Sequence, residues 1–143
     1  MQRMIFVNLP VSDLTRARAF YEAIGFTLNP QFSNEDGAAM VWSETIFVML
    51  LTHAKWKTFT TRPICDAKHS AQVALCINLD SRADVDVMIA DGVACGGTAD
   101  FNPPQDHGFM YQRTLEDPDG HIWEPMWMDP AVASGEKMPE QAA

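Results

Sequence analysis

Along most of this chain apolar and polar positions alternate in short runs, and two stretches of helical spacing interrupt them. From Met4 to Leu9 the side chains alternate, with Ile5, Val7 and Leu9 on one face and Phe6 and Asn8 on the other, which predicts a strand. Ser12 then offers an N-cap for a helix starting at Asp13, an acid favourable in a first turn. Leu14, Ala17, Tyr21 and Ile24 recur at helical spacing, and Gly25 can stop the helix in a left-handed conformation. Strands are predicted over 26–33, 38–42 and 45–51, divided by the turn residues Asn34-Glu35-Asp36-Gly37 and Ser43-Glu44. Residues 52–70 break the pattern. The stretch 53–60 reads as a short amphipathic helix with Trp56 and Phe59 on one side. The stretch 62–69, with Pro63 and mixed charge, reads as a linker.

The first pattern then recurs. Val73, Leu75, Ile77 and Leu79 alternate with Gln72, Ala74, Cys76 and Asn78; Ser81 caps a helix carrying Val85, Met88 and Ile89, and Gly92 ends it. A weak strand over 94–101, a loop with two prolines over 102–107, and strands over 108–116 and 121–128 follow. The last two are joined by Asp117-Pro118-Asp119-Gly120, a sharp reversal. Pro125 cannot donate to a ladder, which predicts an edge or bulged strand from there on. The Ala/Pro/Glu-rich tail over 130–143 reads as poorly ordered. The expectation is an α+β chain of two βαβββ modules in tandem: 4–51, a linker over 52–70, and 71–129. Their helix-free faces form curved mixed sheets around a pocket.

Composition narrows the function. At 143 residues, 47% hydrophobic and 20% charged, the chain has an ordinary globular balance. A net charge of −9 repels phosphate backbones, so nucleic acid is not expected as a partner. No apolar run reaches the about 18 residues of a membrane span, and the N-terminal apolar stretch is too short for a signal peptide. Cys65, Cys76 and Cys95 are odd in number and lack C-x-x-C spacing, which reads as a reduced cytoplasmic setting, with Cys76 as plain core.

The residue of which chemistry is first asked is Glu124. It interrupts His121–Met128, a run apolar at nearly every other position, and a carboxylate there is costly to bury unless paired, protonated or metal-bound. Alternation puts Ile122, Glu124 and Met126 on one face and His121, Trp123 and Trp127 on the other, so His121 and Glu124 make a poor metal pair. His107, after Asp106 in the Pro-rich loop, reads either as a general base beside a pocket or as a solvated turn residue. Arg113 reads either as the partner of a buried carboxylate such as Glu124 or as an anchor for an anionic substrate.

The stretches VNLPVSDLTRARAFYEAIGF (Val7 to Phe26) and EDPDGHIWE (Glu116 to Glu124) resemble the opening strand–helix and the closing turn–strand of the vicinal oxygen chelate superfamily, which includes glyoxalase I, extradiol dioxygenases and bleomycin-resistance proteins. The resemblance covers roughly residues 4–128. It implies paired βαβββ modules around a pocket and frequent homodimers. It also implies a divalent metal held from four strands, at positions that fall here on Phe6, Leu50, Gln72 and Glu124. Only Glu124 is a ligand of the usual kind, so no cofactor is expected; any metal would rest on Glu124 and Gln72. Two readings follow. In one, a lyase-like enzyme uses Glu124 as general base, with Asn8 and Gln72 hydrogen-bonding a substrate oxygen. In the other, a non-catalytic protein of the bleomycin-resistance type sequesters a drug or metabolite, with Phe6, Trp42, Leu50 and Trp123 giving stacking and apolar contact. Arg113 and His107 complete the expected substrate-binding set.

Overall fold

The first strand, β1 (Ile5–Val11), lies parallel to β4 (Ile46–Thr52), and the helix α1 (Leu14–Ala23) crosses between them with β2 (Thr27–Asn29) and β3 (Gly37–Val41), giving a sheet in the order β1-β4-β3-β2. The structure, a computed structural model, describes residues 1–139. After the short helix α2 (His53–Trp56) and an irregular connection, the plan repeats. Strand β5 (Ala74–Asn78) lies parallel to β10 (Ile122–Met128), with α3 (Arg82–Ala94) crossing over. The antiparallel remainder of the second sheet is β6 (Thr98–Ala99), β7 (Gln105–Asp106), β8 (Met110–Gln112) and β9 (Leu115–Glu116). This is the expected α+β architecture with two curved mixed sheets.

One apolar core serves both halves. Phe20, Tyr21 and Ile24 of α1 meet Met88 and Ile89 of α3, and Leu9, Leu50, Leu115 and Trp123 fill the space beneath them. The opposite sheet faces carry Phe6, Asn8, Phe47 and Met49 in one half and Ala74, Cys76, Ile122 and Glu124 in the other, because these residues are in register across the β1–β4 and β5–β10 pairs. Phe6, Asn8, Ala74 and Cys76 are exposed there. Cys76 is therefore not core; burial of part of its side chain and the nearby Glu124 carboxylate push its thiol pKa up.

Local details depart from the pattern reading. The cap of α1 is Asp13, whose side chain accepts from Arg16 N at 3.1 Å, and Ser12 is engaged elsewhere. Ser81 does cap α3. That helix runs through Gly92 to Ala94, and Gly96, at φ +95°, is the left-handed stop equivalent to Gly25 at φ +113°. Gly92 is a packing residue, since a Cβ there would lie 2.7 Å from Leu115 Cδ2.

Strand β10 is central, not an edge. Pro125 O accepts from Arg113 N at 3.2 Å, but Pro125 has no N–H to return to Arg113 O. The neighbouring strand breaks there, between β8 and β9, so the irregularity predicted for β10 falls on its partner. The 102–107 stretch supplies β7 as well as loop. At the C-terminus, α4 (Pro130–Ala133) is capped by Asp129, and residues 140–143 of the expected tail lie outside the described residues.

Candidate functional site

The turn 117–120 joins the two halves. Asp117 is buried; its Oδ1 accepts from Asp119 N at 2.9 Å and His121 N at 2.8 Å, and its Oδ2 accepts the Tyr21 hydroxyl at 2.7 Å. Tyr21 in turn accepts from Trp123 Nε1 at 2.9 Å. Burial pushes the pKa of Tyr21 well up, with Asp117 adding to it, and burial also raises that of Asp117. Asp119 accepts from Ser12 N at 3.0 Å and from Ser12 Oγ at 2.7 Å, and His121 Nε2 donates to Pro10 O at 2.7 Å. These bonds fix the end of β1 against the start of β10.

Above that junction the connection 57–73 crosses from the first half to the second and borders an open-sided cavity of about 440 Å³. Asn8 and Gln72 both line it, from the first and second halves of the chain. Trp56, Arg62, Ile64 and Val73 contribute from α2, the connection and the residue before β5. A second hollow of about 510 Å³, lined by His53, Lys57 and Asp66, shares Pro10, Cys65 and His121 with the first. Gly120, at φ +98°, lets the turn touch the connection: a Cβ there would lie 2.6 Å from Lys68 N.

The structure brings together only part of the expected residue set. Glu124 is not in this cavity. It accepts from Gln112 Nε2 at 2.7 Å and lines a separate hollow of about 320 Å³ with Asn102, Gln105 and Thr114. Phe6 stacks on Phe47, centroids 4.8 Å apart, outside the cavity. Leu50 is fully buried in the helix-side core, opposite the face expected of it, and its neighbours Met49 and Leu51 hold the other face. Trp123 is likewise core at 2% exposure, Trp42 packs on Phe26, and neither lines the cavity. Arg113 is not the partner of Glu124 and is paired with two other acids away from the cavity: it donates from Nε to Asp100 at 3.1 Å and from Nη1 to Asp86 at 2.9 Å. His107 stacks on Phe109 in the β7–β8 turn, away from the cavity. Asp106 does not orient it; Arg82 hydrogen-bonds that carboxylate and holds its pKa down at about 2.

Comparison with known proteins bears on the fold. Residues 3–42 match the family model of the bleomycin resistance protein-like N-terminal domain. No curated protein matches the chain by sequence. Among solved structures, a hypothetical protein, SA1046, from S. aureus is 20% identical and superposes with a TM-score of 0.74 over 89% of this chain and 94% of its own. A glyoxalase/bleomycin resistance protein/dioxygenase family enzyme from Burkholderia phytofirmans PsJN is 17% identical, with a TM-score of 0.72 over 89% of this chain and 99% of its own. The bleomycin resistance determinant encoded on transposon Tn5 is 19% identical, with a TM-score of 0.60 over 90% and 99%. The chain has the fold of the glyoxalase/bleomycin resistance/dioxygenase proteins.

The metal that this fold implies does not suit the residues present. Phenylalanine and leucine have no lone pair to give at Phe6 and Leu50, and Met49, on the correct face of β4, offers only a thioether. Gln72 and Glu124 line different hollows. Among the described residues no group of three or more His, Cys, Asp or Glu side chains is placed to hold a metal ion. No helix among them is long and apolar enough to cross a membrane.

Proposed function

We propose that this protein binds a small organic molecule beneath the 57–73 connection and works by sequestration, as in the bleomycin-resistance reading. The observation that carries the proposal is the cavity itself. It falls within the about 300–1,000 Å³ typical of small-molecule sites, and a few polar groups, Asn8 and Gln72 among them, converge between apolar walls. The lyase reading needs Glu124 beside Asn8 and Gln72, and the separate hollow around Glu124 and Gln112 weighs against it. Free thiols at Cys65, Cys76 and Cys95 support a reducing, cytoplasmic setting.

The test uses the neutral apolar fluorophore N-phenyl-1-naphthylamine. Saturable 1:1 binding is expected, unaffected by a chelator, weakened about tenfold by Trp56→Ala and unchanged by Glu124→Gln. Binding that survives Trp56→Ala and disappears in Glu124→Gln would move the site to the Gln112 hollow and restore the acid–base reading.

A further inference from the structure

Charge is distributed unevenly in this acidic chain. Of its ten Lys and Arg residues, four (Lys55, Lys57, Arg62 and Lys68) lie within 53–69, against one acid, Asp66. Five of the other six have an acidic side chain within 4.0 Å: Arg16, Arg18, Arg82, Arg113 and Lys137. None of the four has such a partner among the described residues, and Asp66 is turned to His69 at 2.6 Å. The cavity shows the same bias. Arg62 lines it and no Asp or Glu does, although the chain holds 19 of them. The adjoining hollow does not share this bias, since Lys57 lines it together with Asp66 and Asp119, so the charge choice belongs to the cavity around Arg62. An unpaired guanidinium at the rim of an acid-free, partly apolar cavity attracts an oxyanion and repels a cation, and the excess of uncompensated charge around it strengthens that choice. The apolar walls, Trp56, Ile64, Val73 and Ile122, suit a ring-sized body.

We propose that the ligand of this cavity is an organic anion, an oxyanion carried on an apolar body, with Arg62 as its charge contact and Trp56 against its apolar part. The proposal rests on the cavity reading above and adds the sign of the ligand's charge. It differs from a general field effect, because the contact is assigned to one residue.

A matched pair of probes tests it: 1-anilinonaphthalene-8-sulfonate, an anion, and N-phenyl-1-naphthylamine, the same ring system without the sulfonate. The expected result is that the anion binds at least about tenfold tighter, that Arg62→Gln removes most of this preference without affecting the neutral probe, and that Lys55→Gln, an equal loss of charge away from the cavity, does not. Arg62 is exposed, so the variant tests a contact rather than folding, and its unfolding midpoint should match the parent's. If both probes bind equally, or if Lys55→Gln and Arg62→Gln act alike, the anion assignment is overturned while the cavity reading stands. If neither probe responds to Trp56→Ala, the cavity reading fails and the anion assignment fails with it.

Discussion

Tyr21 and Asp117 do at the scale of single residues what Glu124 was expected to do: they place polar chemistry inside an apolar setting. The Tyr21 hydroxyl accepts from Trp123 and donates to Asp117, and both partners are buried. Tyr21→Phe keeps the ring and orphans an indole N–H and a carboxylate oxygen. Each unsatisfied buried group costs about 1–3 kcal/mol, so urea unfolding should show a loss of about 2–6 kcal/mol, a large share of a typical domain's stability. A pH series separates the carboxylate's part. Burial raises the folded pKa of Asp117 above its ordinary 3.8, so the folded state takes up this proton before the unfolded state does. Its favourable contribution is full below the unfolded value and is lost as pH rises through the raised folded one. Relative to Asp117→Asn, the parent should therefore gain stability as pH falls toward 3.8 and level off below it. A flat difference across that range would mean that Asp117 titrates normally. None of this was legible in the sequence. Glu124 drew attention as a lone charge in an apolar run, whereas the Tyr21–Asp117 bond joins residues 96 positions apart and leaves no local trace.

Elements were more legible than residues, for a physical reason. Alternation and capping are local, so the strand–helix–strands order and the faces of β1 and β10 could be read directly from side-chain spacing. Where a reading depended on a count of one residue, it failed. Leu50 was taken for the open face of β4 and lies on the core face, since a slip of one inverts every side chain. The stretch 62–69 was read as a linker because its proline and charges lack a period, yet it provides Arg62, Ile64 and Cys65 to the cavity. The excess of cations over acids in 53–69 was the available signal. The turn that supports this connection can be tested through Gly120. Gly120→Ala forces a side chain into a left-handed backbone and into contact with Lys68 N and Ala67 C, at 2.6 and 2.7 Å. Gly108→Ala imposes comparable backbone strain at φ +78° with nothing within 4 Å. Strain alone costs about 1–3 kcal/mol. Gly120→Ala should lose more than Gly108→Ala and should also weaken probe binding, which Gly108→Ala should leave intact. Equal losses with equal binding would show that the turn does not position the connection.

For the whole molecule, the shared core turns the two sheets' remaining faces outward. The helix sides of both halves are buried together around Phe20, Tyr21, Leu115 and Trp123, while at the start of the edge strand β1 Ile5 and Phe6, on its two faces, are each 56% exposed. β1 and β5 each end their sheet with an unpaired edge. A free edge beside exposed apolar residues invites association, and a second copy of this chain is the partner we propose for it. The charge of −9 opposes that association at long range and apolar burial favours it at contact. Salt shortens the repulsion to about 8 Å at 0.15 M without weakening the contact. Sedimentation equilibrium should thus find a homodimer whose dissociation constant falls as salt rises, and Ile5→Asp with Phe6→Asp should yield a monomer with unchanged circular dichroism, because neither residue belongs to the buried core or lines the cavity. A dimer held by ion pairs would weaken with salt instead, and a chain that stays monomeric at about 100 µM would assign these apolar residues no role in self-association. The salt series decides between apolar and ionic contact without requiring any variant to fold.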